Sequence, residues 1–134
     1  MLPAMIRKFH EAKLNRSPSV TLWGTGNALR EFLHVDDLAD ACMFLLQEYD
    51  DPEIINIGVG DDLTIADLAD MVRDVVGFDG EIVYDASKPD GTPRKLVDTS
   101  KINALGWQAK TGLRDGIENT YRWFLDNVEK LRGL

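Results

Sequence analysis

The fold is decided by residues 22–46, LWGTGNALREFLHVDDLADACMFLL, where strand, turn and helix patterns follow one another directly. Residues 20–23, VTLW, predict a short strand that stops at two glycines, and residues 30–35, REFLHV, predict a second strand. Asp36 and Asp37 then predict the start of a helix over residues 37–49, because side-chain oxygens there accept hydrogen bonds from its unpaired N–H groups. This order of elements predicts an α/β fold.

The rest of the chain continues the mixture of helices and strands. Pro3 opens an amphipathic helix over residues 4–14, with Met5 and Phe9 on its apolar face. Thr64 and Asp67 resemble a capping box with Asp in place of the usual Glu, and Ser100 is expected to cap a short helix. Further strands are predicted at residues 53–58 and 81–85, and helices at residues 65–77, 101–106 and 113–131. We expect residues 1–134 to form one compact domain with a small mixed sheet and packed helices.

The composition excludes several classes of protein. A formal net charge of −8 argues against a non-specific nucleic-acid binder, which needs a basic face to neutralise phosphates. No apolar run approaches the roughly 18 residues of a membrane span. The first residues lack the apolar core and the cleavage site of a signal peptide. These features predict a cytoplasmic protein that binds neither nucleic acid nor membranes.

The single cysteine and the two histidines offer little for catalysis or for metal binding. Cys42 cannot form an internal disulfide and is predicted to be a buried structural thiol. His10 is predicted on the surface of the first helix, and His34 within the second strand. The sequence contains no P-loop, no HExxH and no GxSxG, and GTGNAL at residues 24–29 lacks the third glycine of a dinucleotide-binding turn. We therefore predict no catalytic residue and no metal site.

Two loops rich in glycine or proline collect cations in this acidic chain: residues 23–31, WGTGNALRE, and residues 87–96, SKPDGTPRKL. Glycine lets a backbone approach a ligand closely, and proline stiffens a loop. Arginine offers a planar fork of donors to a phosphate, whereas lysine offers a point charge. A diphosphate held by Arg30 with Lys8, Arg94 or Lys95 is one interpretation, with Trp23 as a flat face beside a base or sugar. A solvated turn with scattered charges is the other.

Tyr84 and Lys88 have the four-residue spacing of the catalytic pair in short-chain reductases. In those enzymes both residues lie on one helix, whereas here Tyr84 ends an apolar strand and Pro89 disfavours helical backbone at Lys88. Residues four apart in an extended segment lie roughly 13 Å from each other. The spacing is therefore interpreted as a coincidence.

Three stretches together resemble a known family. Residues 22–46 are similar to the entry into the C-terminal substrate domain of extended short-chain dehydrogenase/reductases that act on nucleotide sugars. Combined with PAMIRKFHEAK at residues 3–13 and VVGFDGEIVYDASKPDGTPRKLVDTSKINALGW at residues 75–107, the chain resembles the GDP-L-fucose synthase family. These are NADPH-dependent GDP-4-keto-6-deoxymannose 3,5-epimerase-4-reductases. The resemblance covers essentially the whole chain but only the C-terminal part of the family's enzymes.

The resemblance implies a substrate-binding domain without its Rossmann half. The NADP(H) site, the Ser and Tyr-xxx-Lys catalytic set and the acid/base cysteine and histidine of the family would all lie outside this chain, so the fragment alone is expected to be inactive and to bind no cofactor. The implied contacts to the GDP-sugar are Lys8, Trp23, Arg30 and Lys95, with Lys88 and Arg94 in support. Glu81 stands where relatives often have Arg, which leaves that contact in question.

Other interpretations stay open. A related epimerase, dehydratase or reductase could use UDP- or dTDP-sugars, and a small module could bind a nucleotide or a partner without any chemistry. The expected partners are a GDP-sugar and the missing Rossmann half. A surface around Leu2, Met5 and Trp23 that normally faces that half is expected to support self-association.

Overall fold

The computed structural model describes residues 1–131 and contains five helices and five strands. The helices are α1 (Leu2–Leu14), α2 (Val35–Glu48), α3 (Ile65–Val76), α4 (Ser100–Ala104) and α5 (Leu113–Leu131). The strands are β1 (Ser19–Trp23), β2 (Leu29–Arg30), β3 (Leu63–Thr64), β4 (Glu81–Asp85) and β5 (Arg94–Lys95). The predicted α/β class, with small sheets and packed helices, is confirmed.

The strands form two small sheets. In the first, β1 pairs in parallel with β4, from Ser19 opposite Glu81 to Trp23 opposite Asp85. The second sheet has the order β3–β2–β5 and is mixed, because β2 runs antiparallel to β3 and parallel to β5. Strand β1 ends at the loop of residues 23–31, and β4 ends just before the loop of residues 87–96.

The main core lies where α1, α3 and α5 pack on the β1–β4 pair. Its largest fully buried side chains on these helices share a position on the inward face: Ile6, Phe9, Leu68, Val72, Val76 and Ile117. The N-cap predicted at Thr64 is confirmed, since the Thr64 hydroxyl accepts the Asp67 amide at 3.0 Å. The same hydroxyl donates to the Asp67 carboxylate at 2.6 Å, which replaces the backbone contact of a full capping box. Gly77 ends the helix with a φ of 70°, a conformation that glycine adopts without strain.

A smaller hydrophobic cluster joins α2, α4 and the segment between them. Ala41, Ile102 and Trp107 are its buried members, and the Trp107 indole donates to Asp40 over 2.9 Å. Only Asp37 and Ala41 of α2 are buried, so this helix makes far fewer core contacts than α3.

The start of α2 differs from the prediction. The second strand contains only Leu29 and Arg30, and the helix begins at Val35 with His34 as its N-cap. The His34 Nδ1 atom accepts the Asp36 amide at 3.3 Å, so His34 is a cap and not a strand residue. The predicted cap at Asp36 and Asp37 is wrong, because the Asp37 carboxylate is turned towards the α4–α5 connection instead.

Asp37 receives two backbone N–H groups there, from Thr111 at 2.8 Å and from Lys110 at 3.2 Å. Burial disfavours the charged form of this carboxyl, but the hydrogen bonds from Thr111 and Lys110 outweigh it and lower the pKa of Asp37. Asp37 therefore ties α2 to the residues before α5.

The strand predicted at residues 53–58 does not form within the described part of the chain. A strand needs a neighbour for its backbone hydrogen bonds, and none of the described strands pairs with this segment. Ile55 and Ile57 pack against the smaller cluster, whereas Ile54 is 90% exposed.

Four predictions about single residues are also wrong. Cys42 is exposed, because the face of α2 that carries it meets no other described element. His10, predicted on the helix surface, is buried, and its Nδ1 lies 3.0 Å from the Tyr121 hydroxyl. Met5, predicted on the surface for self-association, is buried in the main core. Thr99 precedes α4 as its N-cap, and the Ser100 amide donates to Asp98 over 2.9 Å.

Candidate functional site

The second sheet places Arg30 directly beside Lys95. The parallel β2–β5 pair matches Leu29 with Arg94 and Arg30 with Lys95. Neighbouring strands lie about 4.8 Å apart, and paired residues face the same side of a sheet. Lys95 is exposed and, within residues 1–131, has no ion pair, while Arg30 is half-buried. Two cations from distant parts of the sequence thus stand side by side.

Arg94 has a different partner from its neighbour Lys95. Its Nε atom donates to Asp62 Oδ2 over 2.6 Å, and its Nη2 atom to Oδ1 over 3.3 Å. The hydrogen bond to Asp62 raises the pKa of the Arg94 guanidinium. Arg94 therefore fastens β5 to the residues before β3, and its charge is balanced within the protein.

Trp23 and Lys88 meet at the end of the β1–β4 sheet. The Lys88 ammonium lies 5.8 Å from the centre of the Trp23 ring, which is within the range of a cation–π contact. The Trp23 side chain is 73% exposed, so most of its flat surface is open to solvent. An aromatic face beside a cation is suited to a base next to a phosphate.

Asp90 closes the loop of residues 86–93 onto the glycine turn after β1. Its carboxylate accepts the Thr25 hydroxyl at 2.7 Å and the Thr25 amide at 2.6 Å. These bonds from Thr25 lower the pKa of Asp90. A Cβ atom on Gly24 would collide with the Asp90 carboxylate, so the turn requires glycine at this position. The Thr25–Asp90 contact holds the two cation-bearing loops together.

Lys8 lies on α1, and its ammonium donates to the Thr21 carbonyl of β1 over 2.6 Å. It lines a surface groove of about 510 Å³ together with Leu22, Trp23 and Ile65. The six predicted contact residues therefore fall into two groups. Arg30, Arg94 and Lys95 lie on the second sheet, and Lys8, Trp23 and Lys88 lie at the end of the first.

Arg30 connects the two groups. Its charge helps to lower the pKa of Asp90, after the hydrogen bonds from Thr25. A Cβ atom on Gly91 would stand 3.9 Å from the Arg30 Nη2 atom, so the loop passes close to the guanidinium. The loop, the turn and the second sheet thus meet beside Arg30, where its guanidinium also lies close to the Asp90 carboxylate.

Tyr84 and Lys88 have different neighbours in the structure. Tyr84 lies in β4 as predicted, and a Cβ atom on Gly26 would come 2.7 Å from the edge of its ring. Burial, and then the charge of Asp70, raise the pKa of the Tyr84 phenol. A raised pKa disfavours the phenolate, and Lys88 contacts Trp23 instead. Tyr84 therefore packs against the main core and the glycine turn.

Glu31 is a polar residue that the sequence analysis missed. One of its oxygens accepts the amides of Val59 and Gly60, both over 2.6 Å, and the other accepts the Val97 amide over 3.1 Å. These partners are 28, 29 and 66 residues away along the chain. No local pattern reveals such contacts.

Residues 1–131 contain no group of three or more His, Cys, Asp or Glu side chains arranged to hold a metal ion. None of the described helices combines the length and apolarity needed to cross a bilayer.

Known proteins share long stretches of this sequence. Residues 1–58 match the NAD dependent epimerase/dehydratase family. The chain is 59% identical to GDP-L-fucose synthase 1 of Arabidopsis thaliana, over 96% of this chain and 40% of that protein. It is 45% identical to GDP-L-fucose synthase of Escherichia coli (strain K12), over 99% of this chain and 44% of that protein.

A solved structure shows the same fold. The GDP-L-fucose synthetase from Naegleria fowleri, bound to NADP, matches 96% of this chain with a TM-score of 0.90 and 31% identity. This chain covers 40% of the Naegleria chain, and so spans less than half the length of the relatives it matches. The resemblance read from the sequence is confirmed: over nearly all of its length, the chain is similar to one part of the GDP-L-fucose synthases.

Proposed function

We propose that this chain is the substrate-binding part of an NADP-dependent GDP-4-keto-6-deoxymannose epimerase-reductase that produces GDP-L-fucose. The patch around Arg30 and Lys95 would hold the diphosphate of the GDP-sugar, and Trp23 would lie against its base or sugar. Hydride transfer and acid–base chemistry would belong to parts of the enzyme that this chain does not contain. We place the reaction in the cytoplasm, where a lone cysteine such as Cys42 stays reduced.

The observation that carries the proposal is the pairing of Arg30 with Lys95 on β2 and β5. A diphosphate needs more than one cation within a few ångströms, and these two residues are brought together only by folding. The Arg30 guanidinium can bind two phosphate oxygens at once, and the Lys95 ammonium adds a point charge. Holding the diphosphate orients the attached hexose, which lowers the entropic cost of reaching the reactive geometry.

The residues of this chain do not fit the dinucleotide cofactor. Binding of its pyrophosphate takes a glycine-rich turn that opens a helix, with the phosphates at the helix N-terminus. Gly24 and Gly26 lead into strand β2 and pack against Asp90 and Tyr84. We therefore propose no step through NADP(H) on this chain, and we expect the chain by itself to bind none.

The exposed face of α2 supports the proposal that this chain is part of a larger enzyme. Apolar side chains from one helix stand in solvent here: Val35, Leu38, Met43 and Leu46. Ile54 is exposed as well. Exposed apolar surface of this kind is typical of a face that packs against another part of a protein. We propose that the nucleotide-binding half covers this face, and that residues 1–134 act as one domain beside it.

Kinetics on the enzyme that carries this chain would test the proposal. Replacing Arg30 with Ala removes one charged partner of the diphosphate, which is worth about 1.5–3 kcal/mol, so KM for GDP-4-keto-6-deoxymannose should rise roughly 10- to 100-fold. Arg122→Ala, at an exposed arginine of α5 that pairs with Glu118, is the matched control. An unchanged KM in Arg30→Ala would contradict the proposed contact between Arg30 and the diphosphate. Oxidation of NADPH by the chain alone would contradict the assignment of the chemistry elsewhere.

A further inference from the structure

We propose that Glu31 is a positioning residue for the anion site: its carboxylate fixes the backbone on the far side of Lys95 and thereby keeps Lys95 beside Arg30. The inference rests on the proposed function, because it names how the diphosphate site keeps its shape. Glu31 itself contacts no ligand in this scheme.

The geometry shows one carboxylate joining three segments. Glu31 directly follows Arg30, so it extends from the end of β2. Its Oε1 atom receives the amides of Val59 and Gly60, and its Oε2 atom receives the amide of Val97, two residues after Lys95. Both carboxylate oxygens therefore accept backbone N–H groups, and hydrogen bonds of amides to a charged acceptor are stronger than those to a neutral one.

The loop of residues 58–60 is shaped around this carboxylate. A Cβ atom on Gly58 would stand 2.5 Å from Glu31 Oε1 and equally close to a methyl of Val97. Gly60 has a φ of 82°, and a Cβ atom there would lie 2.7 Å from the Thr99 hydroxyl. Two glycines are thus needed for the backbone to come within reach of the Glu31 oxygens.

The position of Lys95 depends on such contacts because its strand is very short. The β2–β5 pair contains only two residues on each strand, fewer than an independently stable pair of strands has. On one side of Lys95, Arg94 is held by Asp62; on the other, Val97 is held by Glu31. Removing either tie leaves the exposed lysine free to move away from Arg30.

A double-mutant cycle distinguishes this positioning role from a general effect on stability. GDP would be titrated into the chain and into Glu31→Ala, Glu31→Gln, Lys95→Met and the combined Glu31→Ala/Lys95→Met. We expect Glu31→Ala to weaken binding about tenfold, as the loss of one charged contact does. Glu31→Gln should recover part of the loss, because its amide oxygen can still accept Val59 and Gly60.

The combined variant shows whether Glu31 acts through Lys95. If Glu31 acts through Lys95, the double variant should bind no more weakly than Lys95→Met alone. Losses that multiply in the double variant would overturn the inference, as would an unchanged affinity in Glu31→Ala. Glu53→Gln is the matched control, since Glu53 also bridges distant segments, through Lys101 at 3.0 Å, but belongs to neither loop of the site.

Hydrogen exchange tests the same inference without a ligand. In Glu31→Ala the amides of residues 58–60 and 95–97 should exchange faster, while those of α1 and α3 keep their rates. Equal rates in both proteins at residues 95–97 would overturn the positioning role even if GDP bound. No response to GDP in any variant, with faster exchange at residues 95–97, would instead count against the proposed function and leave the role of Glu31 supported.

Discussion

Helices α3 and α2 have similar lengths but very different surroundings. Helix α3 buries Leu68, Ala69, Val72 and Val76 between α1, α5 and the first sheet, and Thr64 caps its N-terminus as the sequence predicts. Helix α2 is the more apolar stretch in the sequence, yet it buries only Asp37 and Ala41. The difference teaches that an apolar pattern reports what a segment can bury. Whether the segment is buried depends on what else is present to cover it.

The largest effect should come from matched leucine substitutions on the two helices. Leu68 is fully buried and Leu46 is 80% exposed. Leu68→Ala should lower the free energy of unfolding by about 2–5 kcal/mol, because it leaves a cavity and loses buried methylene groups. Leu46→Ala should change it by no more than about 0.5 kcal/mol. Urea denaturation would measure both, and equal losses would show that α2 is packed as tightly as α3.

The tie between α2 and the start of α5 should make stability depend on pH through Asp37. Because the folded state lowers the pKa of this carboxyl, its contribution is present above the unfolded value of about 3.9 and is lost as pH falls through the lower folded pKa. Asp37→Asn should cost about 1–3 kcal/mol near pH 7, since it replaces a charged acceptor of the Lys110 and Thr111 amides with a weaker neutral one.

The difference in stability between the wild type and Asp37→Asn should shrink as the pH falls below about 4. Thermal unfolding between pH 3 and pH 7 would follow it. Asp36→Asn is the matched control, because the Asp36 side chain is 88% exposed. A constant difference across this range would show that the charge of Asp37 does not matter.

The smallest effect should come from the two helix caps. Thr64 accepts the Asp67 amide at 3.0 Å, whereas His34 accepts the Asp36 amide at a longer 3.3 Å. Thr64→Ala should therefore cost about 1 kcal/mol, the usual value for an N-cap. His34→Ala should cost less through its cap alone. Chemical denaturation of both variants would compare them, and a larger loss for His34→Ala would show that its ring stabilises the protein through packing.

The parts of the fold that the sequence predicts well are those whose evidence is local. The N-cap at Thr64, the strand at residues 81–85 and the helix from Leu113 need only neighbouring residues to be recognised. The segment at residues 53–58 has a strand pattern but no pairing strand among the described residues, so the pattern alone misleads. His10 shows the opposite error, because a polar residue became buried by meeting Tyr121 on a helix far along the chain.

The candidate site divides in the same way. The glycines, the prolines and the cations of the two loops are visible in the sequence and suggested an anion site. The family resemblance implied the six contacts, of which Lys8 lies outside both loops, on α1. The pairing of Arg94 with Asp62 and the three amides on Glu31 join residues 28 to 66 positions apart, and no local sequence pattern predicts such contacts. The contact of Trp23 with Lys88 likewise depends on β1 and β4 ending side by side.

The most direct test of the central claim is a titration of this chain with GDP, followed by tryptophan fluorescence and thermal shift, with UDP and dTDP as controls. Trp23 is exposed beside the proposed site, so its emission should change on binding. At a hundred times its Kd, GDP should stabilise the fold by about 2.7 kcal/mol. The account predicts a response that is selective for GDP, lost in Arg30→Ala and kept in Arg122→Ala. An equal response in Arg30→Ala, or one as strong with UDP and dTDP, would contradict it.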